Sequence, residues 1–121
     1  MFVRKYNDCK EFTAGDGCML RELLHPDKAD LNLSYSLAHA IVIPGQTTDK
    51  HKLKEASEVY YIIKGTGRMI INGETRDVEP YDTVYIPPDA VQCITNTGEV
   101  DLEFICIVDP AWRKAQEEVC K

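Results

Sequence analysis

From residue 58 to residue 108, apolar and polar positions alternate in short runs that stop at turn residues. Residues 58–63 are rich in β-branched and aromatic side chains and end at Gly65-Thr66-Gly67. Residues 68–71 follow, and Asn72-Gly73 separates them from residues 74–78. Asn-Gly tolerates the two positive φ angles of a type I′ turn, so this pair predicts a hairpin. Residues 83–86 predict another strand, stopped by Pro87-Pro88, and residues 92–95 and 102–108 complete the series. Upstream, residues 34–43 read as a strand ended by Pro44-Gly45, and residues 18–24 as a strand in preference to a short helix. Many short strands with regular turn punctuation predict an all-β sandwich or barrel. Only the tail departs from this pattern. Asp109 can cap, Pro110 suits a first helical position, and residues 111–119 lack breakers, which predicts a short C-terminal helix packed onto the barrel through Trp112.

The chain has 121 residues, 44% of them hydrophobic and 28% charged. That predicts one domain over 1–121 with its own core: a barrel over about 34–108, an N-terminal arm over 1–33 and a tail over 109–121. The net charge of −6 argues against nucleic acid and against anionic membranes as partners. The first residues contain no apolar run of signal-peptide type, and no run approaches a membrane span. The five cysteines, Cys9, Cys18, Cys93, Cys106 and Cys120, form no CxxC pair. An odd, scattered set predicts free thiols in a reducing compartment, hence a cytoplasmic protein.

Two stretches carry a resemblance. Residues 45–65 read GQTTDKHKLKEASEVYYIIKG, and residues 81–96 read YDTVYIPPDAVQCITN. The first resembles the cupin motif G-x5-H-x-H-x4-E-x6-G, with Gly45, His51, Glu58 and Gly65 in place and Leu53 where the second histidine stands. The second resembles G-x5-P-x-G-x2-H-x3-N, with Pro87 and Asn96 in place. There Gln92 replaces the histidine, and Tyr81 and Asp89 replace glycines. The resemblance implies a cupin-type double-stranded β-helix, a jelly-roll barrel. It also implies a divalent metal (zinc, iron, nickel or manganese) held in the central pocket by His51, Glu58 and Gln92, and a small-molecule ligand or substrate. A homodimer is the family's habit.

Strand alternation puts His51 and Leu53 on one face, and Glu58, Tyr60 and Ile62 on another. Leu53, Tyr60, Tyr85 and Cys106 are therefore candidates to line the pocket. One imidazole, one carboxylate and one amide form a poorer metal site than three histidines and a glutamate, and they miss the two-His-one-carboxylate pattern of oxygenases. In a metal-poor site Glu58 is a candidate general base. Glu55 rivals Glu58, but the spacing to Gly65 favours Glu58. His39, in an earlier strand, is read as structural in preference to a ligand, and His25, before a proline, as exposed. Three polar groups converging in an apolar barrel are costly unless they pair or bind something, which favours a true pocket over incidental placement. Two functions follow. One is a metal-binding cupin acting on a small polar metabolite by isomerase, lyase or decarboxylase chemistry. The other is a metal-free binding module for a sugar-like molecule. No glycine-rich phosphate loop opening a helix is visible.

Overall fold

The computed structural model describes residues 1–120. Their strands are β1 (Phe12–Thr13), β2 (Met19–Leu24), β3 (Ser36–Val42), β4 (His51–Leu53), β5 (Ser57–Lys64), β6 (Gly67–Ile71), β7 (Glu74–Val78), β8 (Thr83–Ile86), β9 (Gln92–Asn96), β10 (Leu102–Asp109) and β11 (Glu117–Val119). Among the described residues they form two sheets, one of six strands in the order β1-β2-β3-β10-β5-β8 and one of five in the order β11-β4-β9-β6-β7. Each sheet buries one face against the other, the arrangement of a jelly-roll barrel. The expected all-β architecture is therefore the observed one, and residues 18–24 contribute a strand as read.

Period-two alternation decides what enters the core. In β10, Leu102, Phe104, Cys106 and Val108 are buried, while Glu103, Ile105 and Ile107 are partly exposed on the opposite face. In β5, Glu58, Tyr60 and Ile62 are buried in the same way. The Tyr60 and Phe104 rings stack with centroids 4.3 Å apart. Around them Val42, Ile86, Ile94 and Leu102 are essentially inaccessible to solvent. The expected hairpin forms between β6 and β7, with φ of 49° at Asn72 and 83° at Gly73.

The tail corrects one expectation. Residues 111–119 form no α-helix: Lys114–Gln116 is a single 3-10 turn and β11 pairs antiparallel with β4. Tertiary bonding overrides the local pattern. The Ala111 amide donates to Ser34 O and the Trp112 amide to Ser36 Oγ, which anchors the start of the tail on the barrel, and pairing with β4 takes the backbone groups of Glu117–Val119. Trp112 then packs against Leu53, Ala56 and Val108, so the strand that follows lies along the open edge of β4. His25 is a second correction. Expected in solvent, it is buried, with Nδ1 accepting the Asp27 amide at 3.0 Å and Nε2 donating to Trp112 O at 2.8 Å. It ties the turn after β2 to the tail.

His39 faces away from the barrel interior. It pairs with Ile105 across the sheet, its Nε2 lies 3.0 Å from Glu103 Oε1, and the Tyr6 hydroxyl covers its Nδ1 at 3.3 Å. This structural role agrees with the reading from sequence.

Tyr81 and Asp89, at the motif's glycine positions, hold φ of 78° and 69°. A side chain is disfavoured there by about 1 kcal/mol or more, least for Asp. Gly65 has no such latitude. Its φ is +83°, and a Cβ would stand 2.6 Å from Asp101 O. Exposed Tyr81 changed to Gly should therefore raise stability by about 1 kcal/mol. Gly65→Ala should lower it by roughly 2 kcal/mol or more, the strain at φ adding to a backbone clash. Urea unfolding of both variants checks the pair.

Candidate functional site

Three strands bring the candidate residues together. β4 carries His51 and Leu53, β5 carries Glu58 and Tyr60, and β9 carries Gln92. His51 and Gln92 lie directly opposite one another in the β4–β9 pairing. All five side chains are buried. Glu55, the rival carboxylate, sits exposed in the turn before β5.

A hydrogen-bond chain crosses the barrel from one sheet to the other. The Tyr60 hydroxyl donates to Gln92 Oε1 at 3.0 Å, and Gln92 Nε2 donates to Glu58 Oε1 at 3.0 Å. Glu58 Oε2 is left for the cavity that Glu58 lines. Burial pushes the Glu58 carboxyl up to about 8. The Gln92 bond opposes that rise, and the charges of Asp16 and Glu117 add to it. A carboxyl held near 8 favours its protonated form at neutral pH. Burial likewise raises the Tyr60 hydroxyl and the Cys106 thiol well above their ordinary ranges, so both stay protonated.

His51 is oriented from behind. Its Nδ1 lies 2.9 Å from Asp49 O, and because a carbonyl only accepts, Nδ1 carries the proton. Nε2 then faces Asp16 Oδ2 at 3.8 Å, beyond hydrogen-bond reach. Asp16 is itself buried, with Oδ1 accepting the Cys18 amide at 3.2 Å. Gly15-Asp16-Gly17 is a turn between β1 and β2. Nothing local signals that this turn folds its carboxylate over the barrel mouth.

Asp16, His51, Glu58 and Tyr60 line a cavity of about 280 Å³, with Leu53, Cys106 and Phe104 in its apolar wall; Gln92 is not among its lining residues. The rim comes from both ends of the chain, through Phe12 and Asp16 on one side and Trp112 and Glu117 on the other. The Trp112 indole donates to Glu117 Oε2 at 3.1 Å, which fixes that rim. Cys18 and Glu117 are further lining residues that the sequence did not single out. Tyr85 is a correction. It is 61% exposed and lies opposite Val59, one position out of phase with Tyr60, so it points outward and borders a separate surface depression.

The metal implied by the motif meets a donor set that does not fit it. The Gln92 carbonyl already accepts the Tyr60 proton, and its amide group turns N–H toward Glu58. Leu53 has no donor atom. Among the described residues no three His, Cys, Asp or Glu side chains are gathered so as to hold an ion.

Comparison with known proteins agrees with this architecture. The cupin domain model matches residues 38–108, more than half of the chain. The fold and site therefore define a small β-barrel with a central pocket, and the chain belongs to the cupin domain family. It is 37% identical over 115 residues to an uncharacterized protein of Methanocaldococcus jannaschii, covering 95% of this chain and 91% of that one. It is 30% identical over 91 residues to the mannose-1-phosphate guanylyltransferase of Salmonella typhimurium, covering 72% of this chain but only 19% of that enzyme. The fold superposes on Pac13, a nucleoside dehydratase from Streptomyces, with a TM-score of 0.82 at 17% identity, covering 100% of this chain and 92% of that one. Among the described residues no helix is long and apolar enough to cross a membrane.

The Glu58 shift has a definite sign. A carboxyl whose folded value lies above its unfolded 4.5 keeps its proton in the folded state, so its burden on stability is absent below about 4.5 and complete above about 8. Glu58→Gln stays neutral and still accepts the Gln92 proton. The variant should match the wild type near pH 4.5 and gain on it as pH rises through about 8, by on the order of a few kcal/mol at most. Urea unfolding of both proteins across that range reads the difference.

Proposed function

We propose that this chain binds a small polar organic molecule in the barrel cavity and exchanges protons with it through Glu58 and His51, without a metal held by His51, Glu58 and Gln92. The hydrogen-bond chain Tyr60–Gln92–Glu58 carries this reading, because it takes up the Gln92 oxygen a metal would need and one of the two Glu58 oxygens. The two remaining groups suit opposite tasks. Glu58 is protonated at neutral pH and has an oxygen on the cavity, which makes it a proton donor. His51 is held through Nδ1 on Asp49 O, which leaves Nε2 as the ring nitrogen through which it can exchange a proton with a bound molecule. A donor and an acceptor in one water-poor pocket suit elimination or isomerisation of a hydroxylated compound. Pac13, which shares the fold, is a dehydratase of nucleosides, and that likeness favours the same broad class of chemistry. The rival reading is the metal-dependent cupin, with zinc, iron, nickel or manganese as the ion.

The first experiment separates the two. Protein purified without an affinity tag should carry substoichiometric metal, and added zinc, iron, nickel or manganese should leave its melting temperature unchanged. Stoichiometric metal lost in both His51→Ala and Gln92→Ala would replace this proposal with the metal reading.

A homodimer is part of the same proposal, and the face that supports it is the outer side of the six-stranded sheet. Strand register puts Leu37, Ile41, Val59, Tyr61, Ile105 and Ile107 on that side. Tyr61 and Ile63 remain about 40% exposed there. The tail and Tyr6, by contrast, are spent on their own barrel, on β4 and His39. A patch that is apolar but carries the opposite charges of Lys64 and Glu103 is suited to meet a second copy of itself across a two-fold axis. Light scattering should give the mass of a dimer for the wild type and of a monomer for Ile105→Glu. A monomeric wild type at micromolar concentration would refute the dimer.

A further inference from the structure

Taking the cavity as the metal-independent ligand site just proposed, we infer that its ligand is cationic: a small primary or secondary amine on an apolar body, with carboxylates and phosphates turned away. The geometry of charge around the cavity carries this. Four carboxyl groups line it, those of Asp16, Glu22, Glu58 and Glu117, against one lysine, Lys114, and no arginine among the described residues. Glu22 is neutralised from outside the lining by Lys28 at 2.6 Å. Glu58 Oε1 is occupied by the Gln92 amide. Asp16 and Glu117 remain, and both line the cavity. The Glu117 oxygens lie 3.3 Å from where a Cβ on Gly15 would stand, immediately beside Asp16.

Among the described residues neither carboxyl group has a lysine or arginine within 4 Å. Asp16 is only 6% exposed, accepts the Cys18 amide proton and stands 3.8 Å from His51. Among the described residues Glu117 accepts the Trp112 indole proton at the rim and no other. His51 Nε2 is a second unpartnered atom on a side chain that is 4% exposed and lines the same cavity. A buried carboxylate without a cation is unfavourable, and an incoming ammonium would relieve it. The opposite wall is apolar, formed by Leu53, Phe104, Val108 and Trp112, and would take the body of the ligand. A volume of about 280 Å³ is at the small end for ligand pockets.

Benzylamine, benzyl alcohol and benzoate share one apolar body and differ in charge. Amide-proton NMR titration of the full chain with each should show benzylamine shifting the Leu53, Tyr60 and Cys106 signals. It should bind about tenfold or more tightly than benzyl alcohol, as expected when a charge-assisted hydrogen bond replaces a neutral one, and benzoate should not bind. The double variant Asp16→Asn with Glu117→Gln keeps acceptors for the Cys18 amide and the Trp112 indole, so its spectrum should stay folded while benzylamine falls to the level of benzyl alcohol. Equal binding of all three at those signals, or a preference that survives the double variant, would overturn the charge assignment and leave the cavity as a ligand site. Failure of all three to move the cavity signals would overturn both.

Discussion

The chain Tyr60–Gln92–Glu58 is the constraint on which the rest of the site depends. It joins β5 of one sheet to β9 of the other through two hydrogen bonds of 3.0 Å in the interior of an apolar barrel. A buried polar group left unpaired is expensive, so each of the three side chains fixes the rotamers of the others. Gln92 is 1% exposed and has no water to turn to. Its orientation is therefore dictated by its partners: oxygen toward the phenol and nitrogen toward the carboxyl. That orientation satisfies the amide and leaves one carboxyl oxygen and one imidazole nitrogen facing an enclosed space, while burial, against the pull of the Gln92 bond, holds the Glu58 carboxyl high.

The barrel around this chain is a consequence of period-two alternation, and the mouth is a consequence of the chain ends. β10 reads as a clean alternation because one side meets Tyr60 and the opposite side meets none of the core. The ends behave differently. The turn at Asp16 and the tail from Trp112 to Glu117 are held by contacts distant in sequence, such as the His25–Trp112 and Ala111–Ser34 bonds. These contacts turn an open barrel into a cavity with a defined rim and give that rim its negative charge.

The corrections share one cause. Residues 111–119 have no helix breaker, yet β4 offered an unpaired edge, and bonds to Ser34 and Ser36 anchor the tail where β11 can reach it. Local propensity lost to long-range pairing. Tyr85 was assigned inward from alternation alone, but alternation fixes only the phase relative to a neighbour, and its neighbour Val59 faces outward. His25 reads as a loop residue because the tail that buries it is 87 positions away.

The sequence by itself determined the strands, the Asn72-Gly73 turn, the barrel, and the convergence of His51, Glu58 and Gln92. Each of these follows from local backbone preference, from period-two burial or from fixed motif spacing. Only the tertiary structure decided what those residues do there. Whether Glu58 is a base or an acid depends on how completely water is excluded, and whether Gln92 is a ligand or a hydrogen-bond bridge depends on the phenol 32 positions away. Asp16 and Glu117 become part of the site for the same reason. Burial, dielectric and the approach of distant carboxylates are properties of the assembled barrel, and no local stretch of sequence encodes them.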